Sequence, residues 1–184
     1  MESKVILLDQ DGVVADFERG FLACWQERFP NRPHIALDQR TTFYPRDQYP
    51  QEFRDDIAQL VAEEGFYLNL PPIEGAVIGV NQMIESGHNV FICTSPLLAY
   101  IYCVPEKYSW VERYFGVEMV KNIIVAKDKT LIHGDFLVDD RPEISGVTHA
   151  TWEHIVFDQP FNRHVLNRRI QWDNWQSILT QPTE

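Results

Sequence analysis

The sequence of 184 residues has few cysteines, few cationic residues and no long apolar run. Its three cysteines, Cys24, Cys93 and Cys103, lie in apolar surroundings without C-x-x-C spacing. An odd number of such thiols argues against a disulfide framework and indicates a reducing compartment. The longest apolar run, residues 97–104, is far below the roughly 18 residues that cross a membrane. Since the apolar run 5–8 is also too short for a signal-peptide core, we expect a cytoplasmic protein.

Positive charge is scarce: 16 Lys and Arg face 27 Asp and Glu, which gives a formal net charge of −11. Nucleic acid polymers and anionic membranes bind proteins through cationic side chains, so this excess of acid argues against both kinds of partner. Acidic clusters could instead hold a metal ion, which composition alone leaves open. With 45% hydrophobic and 23% charged residues, the chain has the composition of a folded globular protein, long enough for one domain with a small insertion.

Short apolar runs recur along the chain and predict buried strands. The runs are residues 5–8, 90–93, 123–125, 136–138 and 155–157. They are rich in β-branched residues and do not alternate with polar ones, which is typical of strands buried on both faces of a parallel sheet. Helical patterns cover residues 73–86, with Val77, Val80 and Ile84 on one face, and residues 108–115. This order predicts an α/β fold with a Rossmann-like, doubly wound parallel sheet.

Residues 16–70 show no strand pattern and predict a helical insertion after the first strand. Two helices are expected within it, over residues 17–28 with Asp16 as the cap, and over residues 51–64. A last short helix is predicted around Trp175. The expected division is a core domain of residues 1–16 and 72–184 and a small helical cap of residues 17–71.

Paired carboxylates follow two of the predicted strands. Asp9 and Asp11 come directly after the first strand, and residues two apart on an extended segment project to the same side. Two like charges at one point are unfavourable unless they share a cation or a proton. Asp139 and Asp140 follow the fourth strand, and two acidic strand ends together would form an oxygen-lined site suited to Mg²⁺. The alternatives are a solvated loop after the first strand and a surface turn paired with Arg141 after the fourth.

Two further strand ends carry groups that can bind phosphate. Thr94 and Ser95 follow the second strand with hydroxyls and neighbouring backbone N–H groups. Lys127 and Lys129 follow the third strand and supply cations. Each pair taken alone is typical of an ordinary turn or a solvated loop. Other chemistries lack their motifs, because the histidines have no zinc-binding spacing and neither a G-x-x-x-x-G-K-[ST] loop nor a G-x-S-x-G turn occurs.

In chain order, this set of strand-end motifs resembles the haloacid dehalogenase superfamily of phosphotransferases, whose four motifs occur in the same order. Longer segments are similar to the 5′(3′)-deoxyribonucleotidases. The segments are residues 11–18, 93–97, 106–112, 128–130, 152–155, 162–164 and 172–175. The resemblance covers nearly the whole chain, the cap included. It departs at Val61, where relatives carry an aromatic residue, at Lys127, where they often have Arg, and at Gln10, where an apolar residue is usual.

The resemblance implies roles for the carboxylates. Asp9 would be the nucleophile that forms an aspartyl-phosphate, and Asp11 would protonate the leaving oxygen and later activate water. Mg²⁺ would be held by the Asp9 carboxylate, the Asp11 main-chain carbonyl and Asp140, with Asp139 as the alternative ligand. The metal would offset the repulsion between an anionic nucleophile and a phosphate dianion.

The resemblance also implies a set of substrate-binding residues. These are Thr94, Ser95, Lys127 and Lys129 for the phosphate and Phe17, Phe43 and Tyr44 for the base. Aromatic faces can stack on a base and so distinguish a nucleotide from a bare sugar phosphate. Taken without the resemblance, Phe17 and Phe43 favour a simpler interpretation, in which they form the apolar interior of the cap.

The sequence thus predicts a Mg²⁺-dependent phosphatase that acts on deoxyribonucleoside monophosphates, pyrimidine ones such as dUMP or dTMP in particular. The alternatives are a related phosphatase of another small phosphate ester and a non-catalytic, nucleotide-binding regulatory protein. The presence of both Asp9 and Asp11 argues against the second alternative, because a binding module needs no paired nucleophile and acid. The expected partner is a small nucleotide. A homodimer, the preferred base and the choice between 5′ and 3′ phosphates stay open.

Overall fold

The computed structural model describes residues 2–179, which build one parallel sheet with helices around it. The strands are β1 (Val5–Leu8), β2 (Asn89–Thr94), β3 (Ile123–Val125), β4 (Phe136–Asp139), β5 (Glu153–Phe157) and β6 (Arg169–Ile170). Their order across the sheet is β3-β2-β1-β4-β5-β6, and every neighbouring pair is parallel. The doubly wound parallel sheet expected from the five apolar runs is confirmed.

The helices connect these strands. They are α1 (Phe17–Arg28), α2 (Pro45–Gln48), α3 (Arg54–Ala62), α4 (Ala76–Glu85), α5 (Tyr100–Phe115), α6 (Val117–Val120) and α7 (Trp175–Leu179), with 3₁₀ turns at Leu37–Gln39, Gln51–Phe53, Lys129–Leu131 and Pro160–Asn162. None of the helices among residues 2–179 is both long and apolar enough to cross a membrane.

The central strand β1 positions the functional edge of the sheet. Its residues Ile6, Leu7 and Leu8 are completely buried, and burying each such side chain contributes roughly 1.5–3 kcal/mol. Leu8 lies beside Ile92 of β2 and Val138 of β4. Because parallel strands end at the same edge, the loops that follow β1, β2 and β4 meet there.

The segment from residue 17 to residue 71 leaves and rejoins the sheet at one place. Asp16 caps α1, as predicted, by accepting a hydrogen bond from the Arg19 N–H at 3.0 Å. The outgoing and returning chains are joined by hydrogen bonds from the Asp16 N–H to the Pro71 carbonyl (2.8 Å) and from the Ile73 N–H to the Val14 carbonyl (2.9 Å). No strand occurs within the segment, in agreement with its sequence pattern. Its division from the core as a separate cap remains a prediction.

The inward face of α4 differs from the predicted one. Val80 is buried as expected, but Ile84 is exposed and Met83 is buried in its place. The reason is a close contact at Gly79, where an added Cβ would lie 2.4 Å from the Trp172 ring. The buried face of α4 therefore includes Gly79, and a search for periodic apolar side chains does not place a glycine on that face. The helix ends before Gly87, as predicted.

Helix α5 is twice as long as predicted and includes a proline. The sequence predicts a helix over 108–115, whereas α5 begins at Tyr100 and continues through Pro105. Proline has no N–H to donate within the helix, but the buried side chains of Cys103, Glu106 and Trp110 hold the helix on both sides of it. The predicted C-terminal helix is confirmed in α7. The two-residue strand β6 was too short to be recognised in the sequence.

Candidate active site

Lys129 lies between two carboxylates at the edge of the sheet. Its Nζ atom is 2.9 Å from Asp9 Oδ1 and 2.5 Å from Asp139 Oδ2. Asp9 is fixed at the end of β1 by its N–H, which donates to the Val138 carbonyl of β4 at 2.8 Å. The second oxygen of Asp139 accepts a hydrogen bond from the Arg141 N–H at 2.9 Å. Both oxygens of Asp139 therefore have partners within the protein.

Asp140 is buried against the turn that follows β1. Gly12 in this turn has φ +75°, and an added Cβ would lie only 1.9 Å from Asp140 Oδ2, so this position requires glycine twice over. Two side chains from the loop after β5 donate hydrogen bonds to the backbone on both sides of this contact. The buried Asn162 donates to the Asp140 carbonyl at 2.7 Å and to the Phe157 carbonyl at 2.8 Å, and Gln159 donates to the Gly12 carbonyl at 3.0 Å.

The donor set fits a hard divalent cation. Carboxylate oxygens of Asp9, Asp139 and Asp140 lie within 4.8 Å of one another. Asp140 Oδ1 is buried and has no hydrogen-bond partner among the described residues. Three carboxylates beside the single ammonium of Lys129 leave an excess of negative charge, which Mg²⁺ or Ca²⁺ would compensate with the oxygen ligands that both prefer.

Asp11, the second carboxylate after β1, forms an ion pair with Lys107. The Nζ atom of Lys107, in α5, donates to Asp11 Oδ2 at 2.6 Å and to Thr94 Oγ1 at 2.9 Å. Lys107 is completely buried, and Asp11 Oδ1 has no hydrogen-bond partner among the residues described. The two oxygens of Asp11 therefore differ, since only Oδ2 contacts an ammonium.

Burial controls the protonation of these groups. It raises the pKa of Asp9, against the lowering effect of Lys129, and it raises the pKa of Asp11, against Lys107. The pKa of Asp140 is raised well above its usual value by burial and by the neighbouring charges of Asp139 and Asp9. Burial alone would lower the pKa of Lys129, but the same two carboxylates raise it above its usual value. A carboxyl with a raised pKa can hold a proton for transfer.

Two side chains of the predicted phosphate-binding set donate hydrogen bonds to neighbouring backbone carbonyls. Ser95 donates to the Ala126 carbonyl at 2.8 Å, and Lys127 donates to the Pro96 carbonyl. These bonds join the loops after β2 and β3. The other two members of the predicted phosphate-binding set lie beside the carboxylates after β1. Thr94 accepts a hydrogen bond from Lys107, which also binds Asp11, and Lys129 contacts Asp9.

The predicted base-binding aromatics occupy two places. Phe17 is half-buried and packs against Phe21 and Phe66 of the same helical segment, with ring centroids 6.3 and 5.6 Å away. Phe43 is half-buried beside the Arg141 guanidinium, which lies 5.5 Å from its ring, and Tyr44 is exposed next to it. Both phenylalanines thus contribute to packing while keeping part of their surface open.

Three side chains that contact the site were not predicted from the sequence. Lys107 and Asn162 lie in segments that resemble the nucleotidases, but no role was assigned to them. Gln10 stands out as a departure from the superfamily pattern, and its buried side chain donates to the Lys107 carbonyl at 3.2 Å. The signal in the sequence was the polar side chain of Gln10 at a position where an apolar residue is usual, which indicates a buried hydrogen bond.

Comparison with solved structures shows the fold. A haloacid dehalogenase (HAD) family hydrolase from Deinococcus radiodurans R1, with bound phosphate and sodium, is similar with a TM-score of 0.61 and 14% identity, covering 96% of this chain and 95% of that one. A HAD hydrolase from Bacillus subtilis bound to magnesium is similar with a TM-score of 0.57 and 13% identity, covering 98% and 100%. The chain has the HAD hydrolase fold.

Sequence comparison then gives the family. The family model described as "5′ nucleotidase, deoxy (Pyrimidine), cytosolic type C protein" matches residues 3–181. The human cytosolic-type 5′(3′)-deoxyribonucleotidase is 45% identical, covering 95% of this chain and 92% of the human protein. The mitochondrial 5′(3′)-deoxyribonucleotidase of Mus musculus is 41% identical, covering 95% and 84%. The chain belongs to this family of HAD-type 5′-nucleotidases, and the family predicted from its motifs is confirmed.

Proposed function

We propose that this protein is a Mg²⁺-dependent 5′(3′)-deoxyribonucleotidase that releases phosphate from deoxyribonucleoside monophosphates, pyrimidine ones above all. The observation that carries the proposal is that the two carboxylates after β1 contact different buried lysines, Asp9 contacting Lys129 and Asp11 contacting Lys107. A nucleophile and an acid need different environments, and these two carboxylates have separate partners at one edge of the sheet.

The reaction proceeds in two halves. In the first, a carboxylate oxygen of Asp9 forms a bond to phosphorus while the bond from phosphorus to the nucleoside oxygen breaks, and Asp11 gives its proton to that oxygen. In the second, Asp11 takes a proton from water, which attacks the phosphorus of the aspartyl-phosphate and regenerates Asp9 with release of inorganic phosphate. Thr94 and Lys129 bind the phosphate oxygens during both halves, with Ser95 and Lys127 nearby in the same substrate-binding set.

Mg²⁺ would be held by the carboxylates of Asp9 and Asp140 and by the main-chain carbonyl of Asp11. When bound, the ion supplies compensation for the negative charges that meet when a phosphate dianion approaches Asp9. Asp140 is preferred to Asp139 as the ligand because both oxygens of Asp139 already have protein partners, whereas Asp140 Oδ1 has none among the described residues.

We assign recognition of the nucleoside to the helical segment 17–71, acting as a cap over the sheet edge. Phe17, Phe43 and Tyr44 would contact the base, and stacking of this kind contributes ~1–3 kcal/mol per base. The family description and the relatives' names support a nucleotide substrate. A cytoplasmic location is part of the proposal, supported by the cysteine pattern and the cytosolic-type human relative. A homodimer stays a prediction.

A phosphate-release screen tests the function. The purified protein is assayed with 5′- and 3′-monophosphates of deoxyribo- and ribonucleosides and with sugar phosphates, each with Mg²⁺ and with a chelator. We expect kcat/KM for dUMP or dTMP to exceed that for every sugar phosphate, and chelation to abolish release until Mg²⁺ is added back. Faster turnover of a sugar phosphate would instead indicate a HAD phosphatase with another small ester as substrate. Absence of release from all substrates would indicate a binding protein.

Replacement of Asp140 by Asn is expected to weaken metal binding more than replacement of Asp139 by Asn. Asp140→Asn removes the charge of the oxygen that is free to coordinate, so the Mg²⁺ concentration for half-maximal activity should rise at least ~10-fold. Asp139→Asn should leave that concentration nearly unchanged and lower the thermal stability, because Lys129 loses one of its partners. Mn²⁺ binding by calorimetry and the Mg²⁺-dependent shift in melting temperature give the same comparison without activity. The reverse order of effects would assign the ligand to Asp139.

A further inference from the structure

Two adjacent residues of α5, Glu106 and Lys107, contact the helical segment 17–71 and the active-site carboxylate at the same time. Both are charged and both are buried in the interior of the protein, at 8% and 0% exposure. Charged side chains are rarely this buried unless every contact is satisfied, so the pair requires an explanation beyond packing.

Glu106 binds the returning end of the helical segment. Its carboxylate accepts hydrogen bonds from the backbone N–H groups of Gly65 (2.5 Å), Tyr67 (3.0 Å) and Leu68 (3.2 Å). Hydrogen bonds from backbone donors to an ionised carboxylate are stronger than neutral ones, and three of them fix the path of this backbone. The return of the segment is therefore bonded to α5 of the core and not merely packed on it.

Lys107 extends from the next position of the helix to the sheet edge. Its Nζ atom donates to Asp11 Oδ2 and Thr94 Oγ1, and it lies 4.9 Å from the centre of the Tyr67 ring. Tyr67 is the same residue whose N–H binds Glu106. A cation is attracted to the face of an aromatic ring, so the position of Tyr67 bears directly on the ammonium that holds Asp11.

Gln10 completes the arrangement from the side of the sheet. It lies between Asp9 and Asp11, is almost fully buried, and donates to the main-chain carbonyl of Lys107. The loop after β1 therefore contacts both the backbone and the side chain of Lys107. This double contact fixes the distance between α5 and Asp11, and with it the direction of the oxygen that Lys107 does not bind.

We propose that Glu106 and Lys107 are positioning residues that couple the seating of the helical segment to the orientation of Asp11. When the backbone at 65–68 is bound to Glu106, Tyr67 and Lys107 are in place, and Asp11 Oδ1 faces the leaving oxygen. When that backbone is displaced, Lys107 loses the ring contact and Asp11 loses its fixed orientation. The inference rests on the proposed function in taking Asp11 as the general acid.

The test uses two substrates that differ in their need for an acid. The nucleoside oxygen of dUMP must be protonated as it leaves, whereas the phenolate of 4-nitrophenyl phosphate leaves without a proton. The ratio kcat/KM covers the steps up to the first irreversible bond cleavage, so it excludes the later hydrolysis of the aspartyl-phosphate. The variants are Lys107→Met, Glu106→Gln and, as the reference for loss of the acid, Asp11→Asn. Glu112→Gln makes the matched change at an exposed position of α5.

Lys107→Met should lower kcat/KM for dUMP about 10²-fold, within the range of a general-acid contribution, and lower that for 4-nitrophenyl phosphate less than ~3-fold. Glu106→Gln, which touches neither Asp11 nor the phosphate, should show the same selectivity with a loss of roughly 10-fold for dUMP. Glu112→Gln should match the wild type. Thermal melting and inhibition by inorganic phosphate, which reports on Thr94, establish that each variant is folded and binds phosphate.

Equal losses on both substrates in folded Lys107→Met and Glu106→Gln proteins would overturn the coupling and leave a structural role. So would a Glu106→Gln protein that behaves like Glu112→Gln. If Asp11→Asn itself shows no selectivity between the substrates, the role of Asp11 as the acid fails, and the coupling fails with it. Failure of the nucleotide assignment is seen separately, in the substrate screen of the wild-type protein.

Discussion

Replacement of Asp9 by Asn is expected to reduce kcat for dUMP by at least ~10⁴-fold while the protein remains folded. The amide cannot attack phosphorus, because its lone pair is delocalised and it carries no negative charge. Folding is retained because Lys129 keeps its ion pair with Asp139, and because loss of one carboxylate relieves repulsion with Asp140. The measurement is phosphate release at saturating dUMP and Mg²⁺, together with the melting temperature.

Covalent transfer gives this prediction a second readout. Acid quenching of the wild-type protein during turnover should preserve a phosphoryl adduct, detected as a mass increase on the peptide that carries Asp9. The adduct should be absent from Asp9→Asn and present in Asp173→Asn, a matched change at an exposed position. Activity of Asp9→Asn within 10-fold of the wild type would exclude Asp9 as the nucleophile and direct attention to a direct attack by water.

The parts of this site that were predictable lie at strand ends. A strand buried on both faces has a strong sequence signal, and in a parallel sheet the strand end alone determines which residues meet. Asp9, Asp11 and Asp140 could therefore be placed together from sequence, and the structure brings them to one edge. The resemblance implies Asp140 as the ligand with Asp139 as the alternative, and which of their oxygens already have protein partners is visible only in the structure.

Lys107 shows why the rest was not predictable. Residues 97–104 form an apolar run ended by Pro105, and the helix predicted after it begins at residue 108, so the sequence pattern places Lys107 outside any element. Its position depends on a helix that continues through proline because tertiary contacts hold it, and local propensity gives no sign of such contacts. The prediction of the inward face of α4 was wrong for a similar reason. The Trp172 ring that packs on Gly79 comes from a distant part of the chain, so the local pattern does not show it.

Replacement of Lys129 by Met is expected to reduce both stability and activity. Lys129 is almost fully buried between Asp9 and Asp139, so its removal leaves these two carboxylates without the ammonium that contacts both. Removing one partner of a buried ion pair costs about 3–5 kcal/mol, and we expect the free energy of unfolding to fall by about 3 kcal/mol in metal-free buffer. Saturating Mg²⁺ should restore part of this loss, since binding to the folded state stabilises it. Loss of the proposed phosphate contact should lower kcat about 10²–10³-fold, and Mg²⁺ should not restore it.

A second substitution separates the two effects of Lys129. In the double variant Lys129→Met with Asp139→Asn, the ion pair is replaced by two neutral side chains, so about half of the lost stability should return while kcat stays low. Lys121→Met removes a lysine from an exposed ion pair with Glu118, and it should change the free energy of unfolding by less than ~0.5 kcal/mol. Urea unfolding and steady-state kinetics on the same preparations provide both quantities. A double variant no more stable than Lys129→Met would show that the lost stability comes from packing and not from the uncompensated carboxylates. Full activity in either Lys129 variant would remove Lys129 from the phosphate site, because an ammonium 2.9 Å from the attacking carboxylate cannot be dispensable if it binds the transferred group.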